Sequence, residues 1–378
     1  MEYFMPTRLH TGSACLANHP NDLRNLGASC LVVSDKTAAR ASGALSDAEQ
    51  VLDACNIAHQ LWDGVSANPP VSACIEAGAA ARACKAEFIL GIGGGSSLDA
   101  AKAIAVFAAN PTLDEAGFYG MKWENDPLPI ALVGTTAGTG SEVTKVSVLT
   151  DSASRKHSIH DDRLYATVAF GDSRHTYSCP AAVTLSCGVD VLAHATESYF
   201  SHKADEISRA FAVRAIRLAL GPLAAAVAGE LAPEQRDALY EASILGGLAI
   251  NTTGTCFPHN VGYYLTETYG IPHGFASAVF MPAMLEMAAE FDQAYADAFY
   301  TEIGMSKMDY MGLVTSCLPA YDVQMDENEI AAALPRWRDN GSVKNTRAKV
   351  ELEDIRLLLT SMFVPERGAR TGGFWSNR

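Results

Sequence analysis

One carboxylate and three imidazoles occur in this sequence at spacings that could hold a metal ion. Asp190 and His194 are four residues apart in a segment with helical periodicity, so both side chains project from one helix face. His259 and His273 each follow a proline. Such a set suits a divalent transition metal, Fe²⁺ or Zn²⁺, with one position left open for a substrate oxygen. The spacing also allows a plainer interpretation, in which Asp190 and His194 are a hydrogen-bonded pair at the surface.

Two other groups of possible ligands are weaker. His157 and His160 stand beside two aspartates, and we expect them in an exposed polar loop where water solvates them. Cys256 and His259 form a C-x2-H pair that could offer a thiolate to zinc. Because a matching second pair is absent from the sequence, we interpret Cys256 as structural.

Two polar turns follow predicted strands and could bind phosphate. Gly93-Gly94-Gly95-Ser96-Ser97 leads into a helix, and the free N–H groups of a helix start favour an anion. Thr135-Thr136-Ala137-Gly138-Thr139-Gly140-Ser141-Glu142 follows the next strand and offers short hydroxyl donors. The spacing is not G-x-G-x-x-G, so each turn alone is equally typical of ordinary loop structure. Asp35 comes at the end of an earlier strand. A carboxylate there could accept a hydrogen bond from a ribose 2′-hydroxyl and repel a 2′-phosphate. The alternative is that Asp35 caps a helix.

The elements that position these residues divide the chain into two parts. Strands are predicted at 30–34, 88–92 and 129–133, alternating with Ala-rich helical segments as in parallel βαβ units. After Pro180 the periodicity predicts helices at 187–202, 205–228, 233–251, 276–291 and 350–363. We therefore expect an α/β N-terminal Rossmann-like domain at 1–179 and an all-α C-terminal domain at 180–378, with a ligand cleft between them.

Composition excludes several classes of protein. The 378 residues carry a formal charge of −15, so their field repels nucleic acid and anionic membranes. The start of the chain lacks a basic, apolar leader pattern, and no continuous run of apolar residues reaches the roughly 20 residues of a membrane span. Nine cysteines without a CxxC pair argue against a disulfide scaffold. We expect a cytoplasmic protein with no nucleic-acid or membrane partner.

Four segments in order resemble the iron-containing (group III) alcohol dehydrogenase family. They are GGGSSLDAAK at 93–102, TTAGTGSEVT at 135–144, GVDVLAHATE at 188–197 and PHNVGYYLTETYGIPHG at 258–274. The likeness runs from Phe4 to about Phe363. It implies an architecture shared with dehydroquinate synthase, with a Rossmann-like domain, a helical domain, and metal and nicotinamide in the cleft between them.

The resemblance also implies roles for individual residues. The family's metal ligands fall on Asp190, His194, His259 and His273. Its dinucleotide contacts fall on Asp35, Asn68, Gly94, Gly95, Ser96, Asp99, Thr135, Thr136, Thr139 and Lys156. Many members carry a further histidine where this chain has Tyr263, and an unperturbed phenol does not relay protons at neutral pH as imidazole does. Proton transfer then uses Tyr263, a water chain or the cofactor ribose.

The resemblance implies reversible hydride transfer between a small primary alcohol and NAD, preferred over NADP, with one Fe²⁺ or Zn²⁺ acting as a Lewis acid. Substrates taken by members include diols and hydroxy acids such as 4-hydroxybutyrate, and many members are homodimers or larger. Two alternatives are a lyase of the dehydroquinate synthase type, which uses NAD and metal without net oxidation, and a non-catalytic relative. Because this chain offers one Asp and three His as ligands, we rank the lyase below the dehydrogenase.

Overall fold

The N-terminal half is a parallel sheet covered by helices. The computed structural model describes residues 3–365, and residues 1–2 and 366–378, which the predicted domain ranges include, lie outside the described residues. Six parallel strands form the main sheet in the order β1-β8-β5-β4-β2-β3, and β6 and β7 form a separate antiparallel hairpin. The strands are β1 Arg8–Thr11, β2 Ser29–Ser34, β3 Ala58–Trp62, β4 Phe88–Gly93, β5 Ile130–Gly134, β6 Val146–Thr150, β7 Lys156–His160 and β8 Val168–Gly171.

Helices of this half connect the parallel strands. They are α1 Cys15–Asn18, α2 Pro20–Arg24, α3 Ala38–Ala41, α4 Ala44–Ala54, α5 Val71–Ala83, α6 Gly95–Ala109 and α7 Glu115–Tyr119. Every residue of β4 and β5 is buried, as expected for central strands covered on both faces. The Ala-rich helix α6 is buried along most of its length, which places the turn at its start deep against the sheet.

The second half is entirely helical in the described residues after Gly171. Its helices are α8 Ala181–Tyr199, α9 Glu206–Ala228, α10 Pro233–Thr253, α11 Phe257–Tyr269, α12 His273–Ala278, α13 Met281–Phe291, α14 Gln293–Ile303, α15 Lys307–Cys317, α16 Glu327–Ala333, α17 Gly341–Asn345 and α18 Leu352–Phe363. Helix α8 is the central element, because it packs on α9, α10 and α12 and its residues Gly188–Tyr199 are all buried. The predicted combination of a parallel α/β half and a helical half is confirmed.

Buried hydrogen bonds join the two halves. The Tyr240 hydroxyl on α10 donates to Glu142 Oε1 in the loop after β5, at 2.7 Å. The Tyr165 hydroxyl bonds Asn251 of α10 at 2.9 Å. Because buried polar groups are costly without partners, these bonds favour a fixed arrangement of the halves around the loop that follows β5.

Three details differ from the sequence prediction. His157 and His160 lie in strand β7 rather than in a loop, because the hairpin pairs them with Leu149 and Val146. The helix predicted at 276–291 is two helices, α12 and α13, since the chain turns at Val279 and restarts with Pro282 in the first turn of α13. Pro222, which would normally end a helix, lies inside α9, where its ring is buried.

Helix α9 is the single described helix that is long and apolar enough to cross a membrane by length and composition. Its Ala212, Ala215, Ile216 and Leu223 are buried in the helical core, and it packs on α8 and α10. One face of α9 is therefore part of the helical core.

Candidate metal and dinucleotide site

The predicted metal ligands converge from three helices. Asp190 and His194 lie one turn apart on α8, His259 is the third residue of α11, and His273 is the first residue of α12. Pro258 starts α11, and the turn after Gly270 leads back through Pro272, so His273 returns beside His259. Gly274 allows this packing, because a Cβ there would lie 1.9 Å from the Ser186 carbonyl of α8.

The distances within this cluster match those around a small metal ion. Donor atoms of Asp190, His259 and His273 all lie within 4.8 Å of one another. His259 Nε2 is 3.4 Å and His273 Nε2 is 3.9 Å from Asp190 Oδ1. Tetrahedral bonds of about 2.0–2.1 Å would set neighbouring donors roughly 3.3 Å apart. Small movements would therefore bring the three donors to one ion.

The donor atoms also lack protein partners. Within the described residues, Asp190 Oδ1, His194 Nδ1 and His259 Nε2 are buried polar atoms without a hydrogen bond. Buried polar atoms are nearly always paired, and three orphans in one place indicate a missing ligand. One carboxylate and neighbouring imidazoles are the donors that Fe²⁺ and Zn²⁺ accept. The residues present therefore fit a divalent metal.

His194 lies at the edge of this group. Its ring stacks on His259 with centroids 4.5 Å apart, and its Nδ1 is 3.9 Å from Asp190 Oδ2. Burial lowers the pKa of His194 to about 4, although the Asp190 carboxylate opposes the shift. Neutral imidazole is the form that binds metal, so His194 is ready to act as a ligand at neutral pH.

The cluster opens to solvent on one side. His273 is 24% exposed, whereas Asp190 and His259 are 4% and 1% exposed. Burial opposes ionisation of Asp190, but the neighbouring imidazoles, His194 first, lower its pKa below the usual range. The carboxylate is thus held ionised, and a small substrate could approach from the side of His273.

A buried carboxylate supports His259 from behind. Glu197 Oε1 lies 2.5 Å from His259 Nδ1, and Glu197 is fully buried. Burial opposes protonation of His259, but the Glu197 and Asp190 carboxylates outweigh it and raise the pKa of His259 to about 10. Glu197 is not among the site residues predicted from the sequence. Its spacing, three residues after His194 and seven after Asp190 on one helix, is the signal that could have identified it.

The two predicted phosphate-binding turns pack against each other. Gly94 and Gly95 start α6, and Thr136 and Thr139 follow β5. A Cβ on Gly95 would lie 2.6 Å from Thr139, so the turns approach this closely only because glycine is present. The buried Thr135 hydroxyl lacks a partner within the described residues. The turns thus form one surface with free donors at the carboxyl ends of β4 and β5.

Asp35, Asn68 and Ser96 line the neighbouring region. Asp35 Oδ1 accepts the N–H groups of Thr37 and Ala38, at 2.8 and 2.5 Å, which is the capping arrangement considered above. A cleft of about 450 Å³ is lined by Asp35, Lys36, Thr37, Asp63, Gly64, Val65, Ser66 and Ala67. The Asn68 N–H donates to the Ser96 hydroxyl at 3.3 Å, which links this cleft to the glycine turn.

Asp99 is engaged by the protein itself. Its Oδ1 accepts from the Ser141 hydroxyl at 2.6 Å and its Oδ2 from the Val148 N–H at 3.0 Å. Lys102, one turn later, is fully buried and donates to Ser141, Thr144 and Val146. Burial lowers the pKa of Lys102 to about 8, although Asp99 and Glu142 oppose the shift. Asp99 and Lys102 thus hold the loop after β5, although Lys102 is not among the site residues predicted from the sequence.

Lys156 and Tyr263 lie beside the metal cluster. The Tyr263 ring is 5.4 Å from the His273 ring, and Lys156 Nζ lies 4.9 Å from the centre of the Tyr263 ring. Burial, with Asp99 and Asp190 nearby, raises the pKa of Tyr263. Burial lowers the pKa of Lys156 despite the same carboxylates. Tyr263 is therefore a neutral phenol at physiological pH.

The structure agrees with a structural role for Cys256. It is buried, and its thiol donates to the Glu197 carbonyl at 3.3 Å. In the described residues it is not among the groups whose donor atoms could share a metal ion.

Comparison with known proteins assigns the chain to a family. A family model described as iron-containing alcohol dehydrogenase matches residues 6–173, and the C-terminal model of the Fe-containing alcohol dehydrogenase family matches residues 184–359. The chain belongs to the iron-containing alcohol dehydrogenase family. It is therefore an oxidoreductase acting on CH–OH groups, and the family's chemistry uses a metal and a nicotinamide cofactor.

Relatives in this family act on several small substrates. The chain is 30% identical to lactaldehyde reductase of Escherichia coli K12 over 332 residues, 86% of each chain. It is 35% identical to 1,3-propanediol dehydrogenase of Klebsiella pneumoniae over 259 residues, 68% of this chain and 67% of that one. The fold matches an iron-containing alcohol dehydrogenase of Thermotoga maritima with a TM-score of 0.88 at 32% identity, covering 95% of this chain and 98% of the other. The family assignment favours the dehydrogenase over the lyase and the non-catalytic relative.

Proposed function

We propose that the chain interconverts a small primary alcohol and its aldehyde with NAD and one divalent metal. The observation that supports this proposal is the cluster of unpaired buried donors contributed by Asp190, His194 and His259 beside His273. We propose these four as the metal ligands, with Fe²⁺ and Zn²⁺ both suited to the donor set. When bound, the metal supplies Lewis-acid polarisation of the substrate oxygen, and the nicotinamide accepts or donates the hydride.

The chain's own residues orient the reactants and exclude water. Asp190 is held ionised by the imidazoles around it and supplies the negative charge of the ligand set. His273, at the open side, borders the approach of the substrate. Tyr263 stacks on His273 as a neutral phenol, so as a proton relay it would pass protons along hydrogen bonds rather than act as a phenolate.

We propose that the dinucleotide lies along the two turns and the adjacent cleft. Gly94, Gly95, Ser96, Thr135, Thr136 and Thr139 would contact the phosphates, Asn68 and Lys156 the nicotinamide half, and Asp35 the adenosine ribose. Asp99 would act on the cofactor by holding the loop at Ser141. Because the chain is acidic overall, backbone N–H groups rather than the global field would bind the pyrophosphate.

Asp35 is the proposed determinant of NAD preference. Both of its backbone hydrogen bonds use Oδ1, so Oδ2 is available to a ribose hydroxyl. We expect Asp35→Gly to relax discrimination against NADP by about 10–100-fold, because a carboxylate repels the 2′-phosphate. Asp35→Asn keeps an acceptor for the cap but removes the charge, and it should give an intermediate ratio of kcat/KM for the two cofactors. An unchanged ratio in both variants would remove Asp35 from the proposal.

The remaining assignments are broader. We propose a substrate that is a small diol or hydroxy acid such as 4-hydroxybutyrate, a homodimer or larger assembly, a cytoplasmic location, and domains at 1–179 and 180–378. A TM-score of 0.77 at 28% identity to a sulfoacetaldehyde reductase of Bifidobacterium kashiwanohense in complex with NAD⁺, over 95% of this chain and 98% of that one, supports a small substrate and NAD. Lys156 adds positive charge near the open side, which is compatible with an anionic group on the substrate.

The function is tested by following NADH absorbance with metal-loaded protein and a panel of alcohols and aldehydes. We expect net NADH formation, and loss of roughly 1,000-fold in turnover for His259→Ala, since Lewis-acid assistance contributes several kcal/mol and each 1.4 kcal/mol is about tenfold. Circular dichroism checks that the variant remains folded. If metal-stripped protein or His259→Ala oxidised alcohols at the original rate, the metal role would be wrong. Turnover without net NADH would instead indicate the lyase.

A further inference from the structure

The buried carboxylate of Glu197 has two hydrogen bonds, and both end on the segment that carries His259. Oε1 accepts from His259 Nδ1 at 2.5 Å, and Oε2 accepts from the Cys256 backbone N–H at 2.6 Å. Cys256 is the residue that precedes α11, so Glu197 binds both the imidazole and the start of its helix. Glu197 itself is 0% exposed. A carboxylate buried so deeply needs such partners, because burial of an isolated charge is costly.

These contacts fix which nitrogen of His259 carries the proton. An ionised carboxylate only accepts hydrogen bonds, so with Glu197 ionised Nδ1 is the donor. Nε2 then points away from Glu197 and is the nitrogen left for a metal ion, which would take the place of its proton. Nε2 lies 3.4 Å from Asp190 Oδ1 without a hydrogen-bond partner in the described residues. A second carboxylate behind a ligating imidazole is the arrangement that orients the ring and increases its basicity in metal sites.

We propose that Glu197 is a positioning residue that sets the metal affinity of the site by holding His259 in the Nδ1–H form, with Nε2 directed at the ion. This inference rests on the proposed role of His259 as a ligand. Glu197 does not touch substrate or cofactor. Its effect passes through His259 and the first turn of α11.

A glutamine at position 197 cannot reproduce both contacts. If its amide oxygen faces His259, its NH₂ group faces the Cys256 N–H, and two donors meet. If the amide is turned, the NH₂ group faces Nδ1 and favours the opposite tautomer, in which Nε2 carries the proton. Both orientations weaken metal binding without removing a ligand. We expect Glu197→Gln to raise the dissociation constant for Zn²⁺ by about 10–100-fold, as loss of outer partners does elsewhere.

The test measures Zn²⁺ affinity of metal-stripped, full-length protein by competition with a chromophoric chelator. The matched control is Glu142→Gln, because Glu142 is equally buried but its carboxylate accepts from Tyr240. We expect the control to keep the wild-type dissociation constant within about twofold. The double variant Glu197→Gln/His259→Ala should bind Zn²⁺ no more weakly than His259→Ala. A generally disrupted core would lower affinity in the double variant as well.

The outcomes separate the inference from the proposed function. If the wild type does not bind Zn²⁺ tightly, the metal site itself is wrong. If the wild type binds Zn²⁺ tightly, His259→Ala binds it more weakly, and Glu197→Gln binds it as the wild type does, the site stands and the role of Glu197 is overturned. Should the glutamine variant not fold, Glu197→Asp takes its place, since a carboxylate withdrawn by one methylene loses the 2.5 Å contact to His259. A wild-type affinity in that variant would equally overturn the inference.

Discussion

Two clusters among residues 3–365 contain histidine and aspartate with donor atoms within 4.8 Å of one another. The buried cluster consists of Asp190, His259 and His273, with His194 beside them. The surface cluster consists of His10, His19 and Asp22 in the N-terminal half. By residue type and proximity the two are nearly equal, yet their chemistry differs.

The carboxylate of the surface cluster already has protein partners on both oxygens. Asp22 accepts from Arg8 Nη1 on Oδ1, at 2.5 Å, and contacts His10 Nε2 through Oδ2, at 2.8 Å. The rings of His10 and His19 stack in parallel, with centroids 3.7 Å apart and planes inclined by 14°. His19 is exposed and His10 and Asp22 are half-buried, so water can solvate the donors of this cluster that lack a protein partner.

The buried cluster has the opposite properties. Asp190 Oδ1, His194 Nδ1 and His259 Nε2 are buried and lack hydrogen-bond partners within residues 3–365. The contrast teaches that donor type and proximity do not define a metal site. Unpaired, buried donors do, because the cost of leaving them unpaired must be offset by a ligand.

The largest expected difference between the clusters is in metal content. Asp190→Asn and Asp22→Asn make the same change, since each replaces a carboxylate by an amide of equal shape. We expect Asp190→Asn to weaken Zn²⁺ or Fe²⁺ binding by at least roughly 100-fold, because even outer-shell losses cost about 10–100-fold. Asp22→Asn should bind metal as the wild type does. Elemental analysis and chelator competition measure both.

The same two variants can also contradict the proposed difference between the two clusters. Equal metal loss in the two, or two tightly bound ions per wild-type chain, would make the surface cluster a second metal site. Normal metal content in Asp190→Asn would contradict the buried site.

The sequence predicts which residues form the buried cluster better than it predicts how their side chains are arranged. Asp190 and His194 are found because helical spacing places them on one face, and the two turns are found because glycine and hydroxyl residues follow predicted strands. Contacts between residues far apart in the sequence follow no such regular spacing. The spacing of Glu197 places it on the face of α8 that carries Asp190 and His194, but its contact with His259 spans 62 positions, and no local spacing specifies that contact. Burial and hydrogen-bond pairing, which separate the two clusters, are set by packing between distant segments.

Missed strands have a comparable cause. β3, Ala58–Trp62, lies at the edge of the sheet, and all its residues are at least partly exposed, so it lacks the continuous apolar run that identified β4. β1 and β8 are only four residues long, too short for a pattern to emerge. In the parallel sheet, continuous apolar runs identify the central strands in the sequence. The half-exposed edge strand lacks such a run, and its pairing with the neighbouring strand defines it.

The smallest expected effect concerns the stability that the surface cluster supplies. Burial alone would raise the pKa of Asp22, but hydrogen bonds from His10 and Arg8 outweigh burial and lower this pKa below its usual value of 3.8. The unfolded chain therefore binds a proton on Asp22 more readily, so this stabilisation is present above about pH 4 and is lost as the pH falls through the lowered folded pKa. Because Arg8 is 65% exposed, we expect Asp22→Asn to lower stability at pH 7 by only about 0–1 kcal/mol.

Thermal unfolding of the full-length wild type and Asp22→Asn at pH 7, and at decreasing pH below 4, measures this contribution. The gap between the two midpoints should shrink as the pH falls, and Zn²⁺ should leave it unchanged. A gap independent of pH would mean that the ion pair supplies none of it. A gap that widened on adding Zn²⁺ would show that the surface cluster also binds an ion, and unpaired, buried donors would no longer separate the two clusters.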